Sequence, residues 1–211
     1  MLLFGHTGIT IGAAVLLAGG LKGSRLFKVP GKEATGSSSQ AVESSGNSPS
    51  HRVTWLNYLG SRIDVRVLFL GSLLPDIIDK PVGHLIFRET ISNGRIFGHT
   101  LLFLIIMTLA GWYLYRYRSK AWLMVISFGT LVHITCDQMW RSPRTLLWPV
   151  YGFTFPRADL TDWITSMLYR LLTSPEVYVP ELVGVAVLFW FAVELVRSRT
   201  VFAFVKHGIV R

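Results

Sequence analysis

Residues 2–21 carry no charged side chain, and only His6, Thr7 and Thr10 interrupt the apolar run. About 20 residues rising 1.5 Å each make a helix of about 30 Å, the thickness of a bilayer's hydrocarbon core. A cleaved signal peptide would carry Lys or Arg ahead of its apolar run, whereas Lys22, Arg25, Lys28 and Lys32 follow this one. The run therefore reads as a first membrane span that starts outside and ends at the cytoplasm, where basic residues are retained.

The same alternation recurs along the chain. Val67 to Ile78 is apolar, follows Arg62 and Arg66, and closes in Leu73-Leu74-Pro75-Asp76-Ile77-Ile78-Asp79-Lys80. It is short for a span, so it either extends back through Ile63 with the arginines snorkelling, or sits partly within the protein. His99 to Tyr115 runs from outside to Arg116, Arg118 and Lys120, and Ala121 to about Trp140 returns outward. Leu182 to Val196 is the last span, ending at Arg197 and Arg199. Residues 31–51 are Gly- and Ser-rich and read as a flexible cytoplasmic loop. Residues 141–181 read as an external loop in which Trp163, Ile164, Met167, Leu168 and Leu171 recur at helical spacing. That helix either lies at the membrane interface or packs on the bundle. The expectation is one all-α domain over residues 1–211: a polytopic membrane helix bundle of about four or five spans, N-terminus outside and C-terminus cytoplasmic.

Charge supports this orientation. The net charge of +9 invites a nucleic-acid reading, but fourteen of the 21 Lys and Arg residues fall in the proposed cytoplasmic regions. Topology accounts for the excess, and no nucleic acid partner is expected. A single cysteine, Cys136, excludes an internal disulfide and a thiolate metal site.

The ionisable residues of the apolar segments gather at one end. His6 starts the first span, Asp76 and Asp79 end the second, His99 starts the third, and His133 and Asp137 approach the end of the fourth. All six lie toward the external face, and imidazoles with carboxylates suit Zn²⁺ or a similar divalent ion. Pro75 pushes Leu74 out of helical geometry, so a bend is expected there that turns both aspartates toward a common point. Phe-Gly-His-Thr occurs twice, at Phe4–Thr7 and Phe97–Thr100, which suggests similar local roles. His133 and Asp137, at i and i+4, share a helix face; taken alone they also fit a hydrogen-bonded pair that stabilises the bundle. Arg95 presents a fork of donors suited to an anionic substrate, although a plain interfacial arginine fits the position equally well. His84 is a reserve ligand, His51 and His207 fall on the other side, and Trp148-Pro149 suits packing or interfacial anchoring.

These elements resemble the YdjM-like family of bacterial and archaeal inner-membrane proteins, described as membrane-bound metal-dependent hydrolases. The matching elements are Gly5-His6, Leu73-Leu74-Pro75-Asp76, Arg95 with His99-Thr100-Leu101-Leu102, His133 with Asp137, and Leu146-Leu147-Trp148-Pro149. The resemblance extends distantly to zinc-dependent phospholipase C and the single-strand-specific zinc nucleases, which implies phosphoester hydrolysis in a helical fold. It implies that His6, Asp76, His99, His133 and Asp137, with Asp79 as a further ligand, hold one or two divalent ions, zinc foremost. Asp76, Arg95, His133 and Asp137 are then the catalytic set, acting with a metal-activated water on a lipid headgroup or lipid-linked phosphate. Two departures stand out. The family reads Leu-Pro-Asp-x-Asp-His, whereas here the second aspartate comes one residue later and Lys80 follows it; the family histidine five positions before His99 is Gly94. The chain then binds fewer metals, recruits His84, or has lost activity. Two rivals follow: a metal-binding or transport protein, which requires polar residues to continue across the membrane, and a structural or assembly protein with an inactive site.

Overall fold

The structure is a computed structural model that describes residues 3–23, 64–86, 93–156 and 163–208; the expected loop at 31–51, with His51, lies outside them. Among the described residues there are eight α-helices and no strand. They are α1 (Leu3–Gly23), α2 (Val65–Pro81), α3 (Leu101–Arg118), α4 (Trp122–Cys136), α5 (Pro143–Leu146), α6 (Trp163–Thr173), α7 (Pro175–Arg197) and α8 (Val201–His207). A π-helical turn, Val82–Ile86, extends α2, and a 3₁₀ turn, Phe97–His99, precedes α3. α7 is the helix among the described residues that is long and apolar enough to cross a membrane, while Leu3–Leu17 and Trp122–Cys136 are shorter apolar helices.

Helix ends follow local chemistry. The Asp64 carboxylate accepts from Arg66 N at 2.9 Å and caps α2, and the Arg66 guanidinium reaches on to the Val205 carbonyl at 3.2 Å. Thr100 Oγ1 accepts from Phe103 N and caps α3, which ends at Ser119 in the left-handed region. α4 stops at Cys136, short of the expected Trp140, because Gln138 is left-handed and the chain then tightens into the 3₁₀ turn Met139–Arg141. α7 starts at Pro175, seven residues before the apolar run, because proline's missing N–H costs nothing in a first helical turn.

The expected bend at Leu74 does not break the chain's helix: α2 runs on through Pro75 to Pro81. A proline in a helix leaves the carbonyl four residues back without its usual donor. Here that carbonyl, Gly71 O, accepts from Thr130 Oγ1 at 3.3 Å, and the next, Ser72 O, accepts from a ring nitrogen of His133 at 2.6 Å. α4 thus supplies hydrogen bonds along the stretch that Pro75 disturbs.

α2 and α4 touch backbone to backbone. A Cβ added at Gly71 would lie 2.6 Å from the Ile126 carbonyl oxygen, and one at Gly129 would lie 2.6 Å from the Gly71 carbonyl carbon. Small residues at helix crossings permit such close approach where lipid supplies little hydrophobic drive. Away from the histidine end the core comprises Ile11, Ala14, Val65, Leu68, Phe191 and Leu195. Ile105, Ile106, Leu109 and Trp112 on α3, and Leu182, Val183 and Phe189 on α7, face outward and exposed, a surface suited to lipid rather than water.

Gly71→Ala is expected to destabilise the detergent-solubilised protein by about 1–3 kcal/mol, since backbone must move to admit the methyl group. Gly12→Ala is the control, because its Cβ would meet nothing nearer than Val187 Cγ2 at 3.9 Å. Thermal unfolding followed by intrinsic fluorescence should lower the first midpoint and leave the second near the parent's.

Candidate metal centre

Asp79 is fully buried, and each of its oxygens is taken. Oδ2 accepts from Ile96 N at 2.7 Å, His99 N at 3.2 Å and His99 Nδ1 at 2.7 Å; Oδ1 accepts from Gly98 N at 2.7 Å. The turn 96–99 is therefore wrapped around one carboxylate. Only glycine fits at 98, since a Cβ there would come within 2.9 Å of Pro75 Cα and 3.1 Å of Asp79 Oδ1. The carboxylate oxygen accepts here, so His99 Nδ1 carries the proton and, in that tautomer, the lone pair sits at Nε2.

His133 is fixed in the same sense from another helix. Its Nδ1 lies 2.6 Å from the Ser72 carbonyl, which also only accepts, so its lone pair likewise sits on Nε2. The two Nε2 atoms face each other at 3.2 Å. In these tautomers two lone pairs are set against one another, an arrangement that a cation between them would satisfy. Neighbouring ligands on a tetrahedral ion with Zn–N bonds of 2.0–2.1 Å would lie about 3.4 Å apart, close to this spacing.

Carboxylates surround the pair. Asp76 Oδ1 is 3.7 Å from His99 Nε2 and 3.9 Å from His133 Nε2, and Asp137 Oδ2 is 3.7 Å from His99 Nε2. The His6 ring stacks on His133 with centroids 3.9 Å apart, and its Nε2 lies 3.2 Å from Asp137 Oδ1. Neither ring nitrogen of His6 makes an aligned hydrogen bond among the described residues, although the side chain is buried. Two groups of metal-ligand atoms result, one from His6, His133 and Asp137 and the other from Asp76, His99 and His133, the atoms of each lying within 4.8 Å of one another. The donor set of imidazole nitrogens and carboxylate oxygens fits a zinc-like ion.

The structure thus brings His6, Asp76, His99, His133 and Asp137 to one end of the bundle and sets Asp79 behind His99, out of both groups. An imidazole held by a carboxylate at its far nitrogen is the usual outer partner of a metal-ligating histidine. Lys80, where the resembled family has histidine, bonds Asp76 Oδ2 at 2.7 Å and leaves Oδ1 toward the imidazoles. Arg95 Nε pairs with Asp137 Oδ2 at 2.9 Å. Trp148 stacks on Phe155 and meets Phe97 edge-on, a packing role, and the side chains of His84 and His207 lie outside the described residues.

Sequence reasoning missed Glu181. It is buried in α7, and its Oε2 accepts from Gly5 N at 3.0 Å. The repeated tetrapeptide was the available signal: in both copies the glycine N–H donates to a buried carboxylate and the next residue's ring enters the cluster.

A family model described as YdjM inner membrane protein matches residues 1–205 of the chain. No curated protein and no solved structure matches it.

Asp79→Asn keeps the side-chain shape but replaces one accepting oxygen by a donor, opposing donors that now point at it. Zinc affinity measured by chelator competition is expected to fall about 10–100-fold. An unchanged affinity in a folded variant would contradict the placement of Asp79 behind His99.

Proposed function

We propose that this chain, which belongs to the YdjM inner membrane protein family, is a membrane-bound metal-dependent hydrolase acting on phosphoesters, with a lipid headgroup or lipid-linked phosphate as substrate. The observation that carries the reading is the pair of Nε2 atoms at 3.2 Å, each ring having its Nδ1 committed to an acceptor. His99, His133 and Asp76 are the primary ligand set, with His6 and Asp137 completing it or holding a second ion. His133 has a single free nitrogen, because Ser72 O takes the other, and this favours one fully held ion over two.

The metal, when bound, lowers the pKa of a water toward neutrality and neutralises charge on the phosphoryl oxygens. The chain's own residues set the rest. Asp76, partly exposed at the edge of the cluster, turns Oδ1 toward the two imidazoles, where it would join them in holding the ion. Lys80 on Oδ2 keeps that carboxylate oriented. Arg95, paired with Asp137 and more than two-fifths exposed, is placed to hold the anionic part of the substrate beside the ligands. In the proposed orientation, with four or five spans and the N-terminus outside, the cluster faces the external leaflet.

A transport role finds less support. Beyond the cluster the bundle is packed with Ile11, Ala14, Leu68, Phe191 and Leu195, and the buried ionisable groups among the described residues, His6, Asp79, His99, His133 and Glu181, all belong to the cluster end.

The test compares the purified parent with a His133→Ala, Asp137→Ala double variant that still elutes as a folded species. Plasma mass spectrometry should find about one zinc-like ion per parent chain and none in the variant. Hydrolysis of a chromogenic phosphodiester or a short-chain phosphatidate should fall by at least about a hundredfold. A metal-free parent after zinc and manganese reconstitution would overturn the reading.

A further inference from the structure

Beside the cluster lies a cavity of about 360 Å³, lined among others by Asn93, Arg95, Arg141, Ser142, Arg144 and Thr145. Three arginines are among its lining residues and no Asp or Glu is. We infer that this cavity is the headgroup subsite: Arg141 and Arg144, together with Arg95, recognise the phosphate of a membrane lipid that carries a phosphomonoester.

Arg95 joins the two sites, because it lines the cavity while its Nε contacts Asp137. A phosphate held there would lie against the cluster. Arg141 bonds Glu176 at 2.9 Å, but both side chains are more than half exposed, and such a surface pair is weak enough to yield to a doubly charged phosphate. Arg144 has no ion pair among the described residues. The walls are built rather than incidental. Asn93 Nδ2 donates to the Pro156 carbonyl at 2.8 Å and its Oδ1 accepts from Arg95 N at 3.0 Å, fixing two sides of the cavity to each other. Ser142 O accepts from Thr145 N at 3.1 Å and shapes the turn that carries Arg144.

Size and surroundings select the lipid form. The volume suits a small headgroup. Trp140, between two lining residues, and Val150, Tyr151 and Phe153 further along are all exposed, as expected where chains and headgroups meet. On the proposed orientation these arginines also sit on the side where basic residues are scarce, so their placement calls for a local reason.

The inference rests on the hydrolase reading for its chemistry, though not for binding. Calorimetric titrations of the full-length, zinc-reconstituted chain in detergent micelles would use dioctanoyl phosphatidate, inorganic phosphate and, as a zwitterionic control, dioctanoyl phosphatidylcholine. Metal content is measured on each sample. Arg141→Gln combined with Arg144→Gln alters exposed residues, and a matching melting temperature would verify folding. The expected result is phosphatidate binding that weakens about tenfold or more in the double variant with metal content unchanged, and little binding of the control. Equal phosphatidate affinity in both proteins, or none in a metal-bearing parent, would overturn the subsite. Arginine-dependent binding of inorganic phosphate alone would overturn the lipid assignment. Arginine-dependent phosphatidate binding by a metal-free parent would uphold the subsite while the hydrolase reading fails.

Discussion

A carboxylate cannot be buried among apolar helices without partners, and Asp79 meets that demand with three backbone N–H groups and one imidazole. Those bonds dictate the path of the chain from Ile96 to His99, require glycine at 98, and select the nitrogen that His99 turns toward the other ligands. Asp76, three residues earlier on the same helix, faces the imidazoles directly. About one turn of α2 therefore carries both a group that faces the cluster and a group that holds another member of it in place.

The second constraint is the glycine contact between α2 and α4. Because Gly71 and Gly129 let the backbones touch, Thr130 and His133 reach carbonyls in the turn that Pro75 disturbs. The proline removes a donor, and side chains of the neighbouring helix supply others. His133 gains a fixed tautomer from the same contact that satisfies the Ser72 carbonyl. Fold and site are coupled here: a shift of α4 along α2 would cost both the backbone hydrogen bond and the opposition of the two Nε2 atoms.

Much of this was legible in the sequence because apolar runs and their flanking charges obey strong rules. The helices, and the collection of His6, Asp76, His99, His133 and Asp137 at one end, follow from where each residue sits in its run. What did not follow depends on contacts between distant segments. Asp79 and Asp76 look alike in a string of letters, and only the turn at 96–99 separates a group facing the cluster from one behind it. Glu181 fell at the edge of an expected loop, because the run of apolar residues begins at Leu182 while the helix begins at Pro175. Helix ends were misjudged where a left-handed residue, Gln138, or an initiating proline, Pro175, outweighed hydropathy. The cavity beside Arg141 and Arg144 had no sequence signal beyond two arginines in a segment expected to be external.

His99 and His133 are proposed to share a cation through Nε2. X-ray absorption at the zinc edge of the purified, zinc-reconstituted protein tests it most directly. A shared cation predicts a low-coordinate shell of nitrogen and oxygen at about 2.0 Å. It also predicts the outer-shell scattering of at least two imidazole rings, reduced in a His99→Ala variant. A shell of oxygen alone, or ring scattering indifferent to His99, would contradict it and return the cluster to a buried hydrogen-bond network.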